Sequence, residues 1–407
     1  MNIMNKLNIV VINRWNDKTC NYHEFIDHSM HSVFYINNEK GSKGINHDVA
    51  TGSWVADDLN VNNCDMIIGE IIKDSGMIDR VIALSEVDQE LAAYIRTKYG
   101  IPGMQAELVS RFRNKIHMKE VLRLNSILTP EFYDLNDTNQ LKRAKESQRF
   151  PLILKPKEGV SSEGVIKVED KVALLHTLKS VDLSGYECEE FIDGKIFHAD
   201  GLIHEGKIIF FNVSEYVNTC FDYTLGMPLG SVMLDGRECN LSYLEYTRGI
   251  LDAMGLDNSA FHLEFILKDN KIYFIEIGAR VGGASVASLI QELYDINLFH
   301  CWIDIQLGND VSAHINKDNN INVGGWLLFP EPRDLPCMVT NRVQLNKMTP
   351  VILSEYLPEI GHEFKGNGEY RDTSGTYLLR GKSSDEVRDV IYKIINKFKL
   401  HTQPIGA

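Results

Sequence analysis

The stretch FHLEFILKDNKIYFIEIGARVGG, residues 261–283, consists of two apolar runs separated by the polar residues KDN at 268–270. Turn-forming residues between two such runs predict a β-hairpin. Side chains alternate between the faces of a strand, so Glu276 and Arg280 share a face. A three-residue loop would also place Glu264 of the first strand directly opposite Glu276. A loop of two or four residues would break that arrangement.

Two facing carboxylates in this hairpin require an explanation, because they repel each other unless a cation separates them. Mg²⁺ usually takes one or two carboxylates together with substrate phosphates. Two interpretations therefore stay open: a Mg²⁺ site on Glu264 and Glu276, or two solvated acids on an outer face. On the first interpretation Glu276 faces the ion, and Ile275 and Ile277 point to the core.

A second segment, FPLILKPKEGVSSEGVIKV at residues 150–168, supports a nucleotide site. A short apolar strand ends at Lys155, and a loop of small residues precedes the next strand. Small residues let backbone N–H groups approach a phosphate, which Lys155 would help to neutralise. An ordinary hairpin with a flexible tip is the alternative. The chain has no G-x-G-x-x-G dinucleotide fingerprint after a strand.

The composition bounds the class of protein. The chain has 407 residues, is 44% hydrophobic and carries a net charge of −14, which argues against general nucleic-acid binding. Its seven cysteines include no C-x-x-C pair, which argues against a disulfide framework and a structural zinc site. No apolar run approaches the ~18 residues of a membrane span. We expect a cytoplasmic protein without membrane or nucleic-acid partners.

The pattern of apolar residues divides the chain into three regions. Residues 1–110 alternate short strands, including MIIG at 66–69, with helices, as in an α/β layer with a parallel sheet. Residues 111–310 are α+β and end in one predicted helix over 285–308. Residues 311–407 form a small α+β unit.

Four segments, taken in order, resemble the ATP-grasp ligases. Each motif alone is loose, but four in the right order are specific, and the likeness covers roughly residues 75–310. The segments are SRFRNKIHMKEVLRLNSILTPEFY (110–133), FPLILKPKEGVSSEGV (150–165), YECEEFIDGKIFHADGLIHEGKI (186–208) and FHLEF…FIEIGARVGG (261–283).

Within this superfamily, the GARVGG ending and the C-terminal unit look most like the L-amino acid ligases, which make dipeptides. The resemblance implies an ATP-grasp fold: an N-terminal Rossmann-like pre-ATP-grasp α/β domain (1–110), a catalytic core (111–310) with a flexible subdomain at about 150–193, and a C-terminal α+β domain (311–407). It also implies a carbon–nitrogen ligase that joins a carboxylate, such as an amino acid, to an amine. The reaction would proceed through an acyl phosphate and release ADP and phosphate.

The resemblance also implies a nucleotide-binding set. The family commonly has an acid for the ribose hydroxyls where this chain has Ile196. His198, two residues on and on the same strand face, is a substitute, with a core histidine as the alternative. The groups that would contact ATP, through side chains or through the hinge backbone, are Lys115, Lys155, Ser161, Ser162, Gly164, Glu189, Glu190, Phe191, Ile192 and His198.

For the reaction centre, the resemblance implies that Glu264 and Glu276 hold Mg²⁺, with Mn²⁺ as an alternative ion. The family often has asparagine two residues after the second glutamate, where this chain has Gly278. One ligand position would then pass to water or to another side chain. The catalytic groups that the resemblance implies are Arg280, Lys155, Gly282 and Gly283.

Two other functions stay open from the sequence. One is a ligase of the same fold whose acceptor is bound to a carrier protein, or is a sugar or another non-amino-acid group. The other is a non-catalytic nucleotide-binding protein, which Ile196 and Gly278 favour. Dimers are frequent in the resembling family, and this is the only ground for expecting a homodimer.

Overall fold

The structure, a computed structural model, describes residues 6–16, 20–159, 162–315, 323–366 and 372–405, without the side chains of 237–240. The strands of these residues form four sheets. No helix in this part of the chain is both long enough and apolar enough to cross a membrane.

The first sheet is parallel and has the strand order β3-β2-β1-β4. Its two central strands are nearly continuous apolar runs, which is typical of a parallel sheet covered on both faces. The strand prediction for 66–69 is wrong, because these residues lie in a helix that buries Ile67, Ile68 and Ile71. The elements are β1 (Asn8–Asn13), α1 (Tyr22–Phe25), β2 (Ser32–Asn37), α2 (Glu39–Ser42), β3 (Gly52–Val55), α3 (Val61–Ser75), β4 (Arg80–Ala83), α4 (Gln89–Tyr99) and α5 (Ala106–Ser110).

The second sheet is antiparallel, has the order β5-β8-β6-β7 and contains the strand that carries Lys155. Helix α6 begins at Lys115, because the Asn114 side chain caps it by accepting from two backbone N–H groups. The elements are α6 (Lys115–Leu124), β5 (Phe132–Asp134), α7 (Thr138–Glu146), β6 (Leu152–Pro156), β7 (Ile166–Val168), α8 (Lys171–Thr177) and β8 (Tyr186–Glu190).

The largest sheet is antiparallel and has eight strands in the order β13-β12-β9-β10-β11-β14-β18-β16. Apolar side chains from α6 and α10 form one core against this sheet, and those from α11, α12 and α13 form part of another. Three strands from beyond residue 322 extend the sheet that carries the hairpin. Up to residue 307 the elements are β9 (Lys195–His204), β10 (Lys207–Tyr216), α9 (Cys220–Thr224), β11 (Leu229–Met233), α10 (Arg237–Met254), β12 (Ser259–Lys268), β13 (Lys271–Gly278), α11 (Val286–Tyr294) and α12 (Leu298–Leu307).

A three-stranded sheet of order β17-β15-β19 completes the C-terminal region. The side chain of Ser383 caps the final helix by accepting from the backbone N–H of Glu386. The remaining elements are β14 (Val323–Phe329), β15 (Cys337–Arg342), β16 (Ile352–Tyr356), β17 (Glu363–Phe364), β18 (Gly375–Gly381), α13 (Ser384–Lys397) and β19 (Leu400–Pro404).

In the hairpin of β12 and β13, Glu264 lies opposite Glu276, but the loop between the strands is shorter than three residues. Lys268 pairs with Lys271, so the loop has two residues, Asp269 and Asn270, both with positive φ. The expectation that a two-residue loop would break the facing of Glu264 and Glu276 is therefore wrong. A register shift between Glu264 and Phe265 restores the pairing of Glu264 with Glu276.

The same irregularity changes which side chains of β13 are buried. Phe274 and Ile277 are buried in the core, whereas Ile275 and Glu276 both line a cavity. The expectation that Ile275 points to the core is therefore wrong. An extra residue on one strand changes the alternation of faces around it.

The predicted helix over 285–308 is two helices. Asp295 adopts a left-handed conformation with φ of 56° and ends α11, and the Asn297 side chain caps α12 by accepting from two backbone N–H groups. Apolar residues of both helices are buried in one core. The apolar pattern therefore continues across the break and predicts a single helix.

Candidate active site

A cavity of about 390 Å³ lies between the second sheet and the hairpin end of the largest sheet. One wall carries Lys155 on β6 and Lys115 at the start of α6. The opposite wall carries Glu264 and Glu276 on the paired strands of the hairpin. The structure therefore brings together both predicted nucleotide lysines and both predicted metal glutamates.

Lys155 is buried within a cluster of opposite charges. Its Nζ lies 2.6 Å from Glu189 Oε1 and 3.7 Å from Glu187 Oε1. Lys119 completes the cluster, donating to Glu187 at 2.7 Å and to Glu189 at 2.6 Å. Burial lowers the pKa of Lys155, but the two carboxylates outweigh burial and leave that pKa above its ordinary value. Lys155 is therefore a fixed cation at the cavity wall.

Lys115 joins the two halves of the cavity. Its Nζ donates to the Gly159 carbonyl at 3.0 Å and lies 3.0 Å from Glu276 Oε2. Burial would raise the pKa of Glu276, but Lys115, Lys155 and Arg280 together lower it to about 2. Glu276 is therefore ionised at any working pH, which is the state that binds a hard cation.

Glu264 is held by two neighbours on the same face of the large sheet. Tyr216, on β10, donates its hydroxyl to Glu264 Oε1 at 2.7 Å. His262 places Nε2 at 3.5 Å from the same oxygen. The two facing carboxylates thus have different partners: a lysine for Glu276, and a hydroxyl and an imidazole for Glu264. Their oxygen donors fit a Mg²⁺ ion.

His198 lies outside this cavity, in contrast to its predicted contact with the ribose. Its side chain is only 1% exposed, and both ring nitrogens are engaged: Nδ1 at 2.5 Å from Asp200 Oδ2, and Nε2 at 2.6 Å from Ser231 Oγ. The other oxygen of Asp200 accepts from His262 at 2.8 Å. His198 is thus a core histidine, and the ribose prediction does not fit its position.

The hinge after β8 forms the apolar end of the cavity. The N–H groups of Glu190 and Phe191 are already bonded to the carbonyls of Glu131 and Pro151. Of the predicted hinge donors, Ile192 is the one whose N–H has no backbone acceptor in the described residues. Isoleucines 153, 192, 196, 266 and 275 all line this end, which suits a flat apolar ring.

Arg280 is bound to the N-terminal region. Its Nε donates to Glu86 Oε2 at 2.7 Å, and Arg113 holds the other Glu86 oxygen at 2.8 Å. Burial lowers the pKa of Arg280, but Glu86, Glu276 and Glu264 raise it above its ordinary value. Among the described residues that line the cavity, Arg280 is absent, although its charge acts on Glu276.

Gly278 makes room for Arg280. A Cβ atom at Gly278 would lie 3.1 Å from Cγ and 3.3 Å from Nε of Arg280. A side chain at this position would require Arg280 to move by a few tenths of an ångström. The glycine and the Arg280–Glu86 pair therefore belong to one arrangement.

The predicted glycines and serines have different surroundings. A Cβ atom at Gly282 would lie 2.3 Å from Asp200 Oδ1, whereas one at Gly283 would enter open space. Ser162 lines the cavity, and Gly164 has a φ of 71° with its carbonyl accepting from Tyr186. Ser161 lies outside the described residues.

Three residues of this site were not predicted from the sequence. Lys119 is one helical turn after Lys115, and Tyr216 and Glu86 lie far along the chain from the glutamate and arginine that they contact. Only the spacing of Lys115 and Lys119 on one helix face could have suggested a pair. The other two contacts depend on tertiary structure.

The match to a family model agrees with this geometry. Residues 148–288 match the ATP-grasp domain family, a segment that includes Lys155, the hinge and the whole hairpin. The predicted ATP-grasp fold class is confirmed.

Two relatives indicate which enzymes of this superfamily the chain resembles. An L-arginine-specific L-amino acid ligase from Bacillus subtilis is 23% identical over 268 residues, which cover 64% of each chain. Dapdiamide A synthase from Enterobacter agglomerans is 25% identical over 201 residues, 46% of this chain and 47% of its own. The aligned parts span less than two thirds of either relative.

Solved structures match over nearly the whole chain. An L-amino acid ligase from Bacillus licheniformis superposes with a TM-score of 0.76 at 19% identity, covering 98% of this chain and 100% of its own. A phosphoribosylglycinamide synthetase from Anaerococcus prevotii gives 0.69 at 18% identity, covering 98% and 99%. The predicted likeness to ATP-grasp ligases, and to the L-amino acid ligases in particular, is confirmed.

Proposed function

We propose that this protein is an ATP-dependent ligase that joins a carboxylate to an amine through an acyl phosphate. The observation that carries the proposal is the convergence of Lys115, Lys155, Glu264 and Glu276 on one cavity. The names of its relatives, two of them amino acid ligases, support an amino acid as the carboxylate substrate. The isoleucine-lined end of the cavity would hold adenine, and the end with the lysines and glutamates would hold the phosphates.

The reaction balances in two steps. A substrate carboxylate oxygen attacks the γ-phosphorus of ATP, the bond to the β–γ bridging oxygen breaks, and ADP leaves. The amine nitrogen then attacks the acyl carbon, loses a proton, and phosphate leaves with the former carboxylate oxygen. Such catalysis depends mostly on positioning and charge neutralisation.

The chain's own residues would provide these two effects. Lys155 and Lys115 would bind phosphate oxygens, and Arg280 would offset the charge of the acyl phosphate. Glu264 and Glu276 would hold Mg²⁺, which would neutralise charge on the phosphates. Tyr216 and Lys115 keep the two carboxylates oriented before the ion binds.

Release of ADP in the presence of amino acids tests this function. We expect release with one amino acid pair and little with either member alone, measured by a coupled assay across a panel. Release only with carrier-bound amines, sugars or thiols would favour the alternative acceptors. Nucleotide binding without any turnover would contradict the ligase proposal and favour a binding protein.

Replacing Lys155 with methionine should weaken ATP binding about 10- to 100-fold, because a charge-assisted hydrogen bond contributes about 1.5–3 kcal/mol. The fold should survive, because Glu189 keeps its 2.6 Å contact with Lys119. Calorimetric titration measures the change, and Lys171→Met, at an exposed lysine of α8, is the control. An unchanged Kd in the folded Lys155→Met variant would exclude Lys155 from the site.

A further inference from the structure

A second group of ligand-type side chains lies outside the nucleotide cavity, around the last turns of α12. His300, Asp304 and His314 each offer one ligand atom, and these atoms lie within 4.8 Å of one another. Among the described residues, only one other group meets this criterion, the buried cluster of His198, Asp200 and His262.

That buried cluster does not fit a metal ion. Asp200 is fully buried, and its two oxygens are already taken by the two imidazoles. The second nitrogen of His198 contacts Ser231 at 2.6 Å. The cluster is satisfied as an ion-pair network.

The geometry of the first group points to a metal ion. We propose that His300, Asp304 and His314 bind a divalent transition-metal ion of the zinc type, with the remaining position open to water. The two imidazoles converge on the same carboxylate oxygen: Nε2 of His300 lies 3.5 Å from Asp304 Oδ2, and Nε2 of His314 lies 3.1 Å from it. Two ligands of a tetrahedral zinc ion are about 3.3 Å apart, given bonds of ~2.0–2.1 Å.

Local structure holds the three ligands in place. His300 and Asp304 are one turn apart on α12, so they share a helix face. Gly308 ends the helix in a left-handed conformation with φ of 82°, and a turn from Val311 to His314 brings the second imidazole back over the helix. The three ligands thus lie where the segment after α12 folds back onto that helix.

Neighbouring contacts orient the ligands without blocking them. Asn309 donates to Asp304 Oδ1 at 2.8 Å, which leaves Oδ2 facing the imidazoles. Phe25 stacks on the His300 ring, with centroids 4.7 Å apart and an interplanar angle of 15°. Partners of this kind, which fix the orientation of a ligand, accompany metal sites. The Asp304 side chain is 8% exposed and those of the histidines 28% and 38%, so an ion can enter from solvent.

The ligand types at this site favour a different metal ion from the Mg²⁺ proposed for the nucleotide site. Two imidazoles and one carboxylate suit zinc, nickel, copper or cobalt, whereas Mg²⁺ prefers oxygen ligands. None of the three ligands lines the nucleotide cavity. The inference is therefore independent of the proposed ligase activity, and we assign the ion a structural role in tying the 309–314 segment to α12.

Metal binding to the full chain tests the site directly. Chelator-stripped protein in excess Mg²⁺ is titrated with Zn²⁺ against a fluorescent competitor, and Co²⁺ is titrated separately with its visible absorption recorded. We expect one ion per chain, an absorption intensity typical of tetrahedral Co²⁺, and at least 10-fold weaker binding in His314→Gln and His300→Gln. The control is His176→Ala, which removes an exposed histidine of α8.

Two results would overturn the proposal. One is stoichiometric Zn²⁺ binding that His314→Gln and His300→Gln leave unchanged, because the ion would then lie elsewhere. The other is no Zn²⁺ binding by the folded wild-type chain, because the three side chains would then be an ion-pair cluster only. Circular dichroism establishes that each variant is folded, and the half-exposed position of His314 makes that substitution tolerable.

Discussion

Replacing Glu276 with glutamine is expected to lower ATP-dependent turnover by at least about 10²-fold, the scale of losing one electrostatic stabiliser of a transition state. The substitution removes one negative charge from the pair that would hold Mg²⁺. Lys115 keeps its hydrogen bond to the Gly159 carbonyl at 3.0 Å, so the fold should persist. Steady-state ADP release and a thermal unfolding curve measure both effects.

The control for this experiment is Glu120→Gln, which neutralises an exposed glutamate on the helix that carries Lys115. A further comparison distinguishes a metal ligand from a residue with a purely structural role. Nucleotide affinity of the wild type should rise when Mg²⁺ is added, and that rise should be reduced in Glu276→Gln. Full activity of the variant would remove Glu276 from the metal site.

The hairpin illustrates how far local patterns predict a site. Alternation and turn residues located β12, β13 and both carboxylates, because these features depend on neighbouring residues only. The facing of Glu264 and Glu276 depends instead on a two-residue turn combined with an irregularity. A sequence does not reveal that combination, because the irregularity is fixed by how both strands pack.

The failures elsewhere have related physical causes. The apolar segment at 66–69 is too short to distinguish a strand from a turn of helix, and α3 buries the same apolar residues.

His198 was placed on the correct strand, but its burial depends on Asp200 and on Ser231, which comes from a strand two positions away in the sheet. Tyr216 reaches Glu264 across β9 in the same way. Contacts that cross the sheet are not encoded by local spacing.

The second large effect concerns stability. Asp200→Asn is expected to destabilise the protein by about 3–5 kcal/mol, the usual cost of breaking a buried ion pair by removing one partner. Asp200 is fully buried and accepts from His198 at 2.5 Å and from His262 at 2.8 Å. An asparagine would keep the volume but lose the negative charge that stabilises the protonated form of His262. Chemical denaturation measures the loss, with Asp252→Asn, at an exposed site on α10, as the control.

The pH dependence of stability separates this ion pair from a mere packing effect. Burial lowers the pKa of His262, but Asp200 and Glu264 outweigh burial and raise that pKa to about 9 from 6.5. Because the folded value is the higher one, the contribution is fully present below pH 6.5 and is lost as the pH rises through 9. Wild-type stability should therefore fall by on the order of 3 kcal/mol over that interval. Asp200→Asn should flatten the fall, whereas an unchanged slope in the folded variant would show that His262 is not stabilised by Asp200.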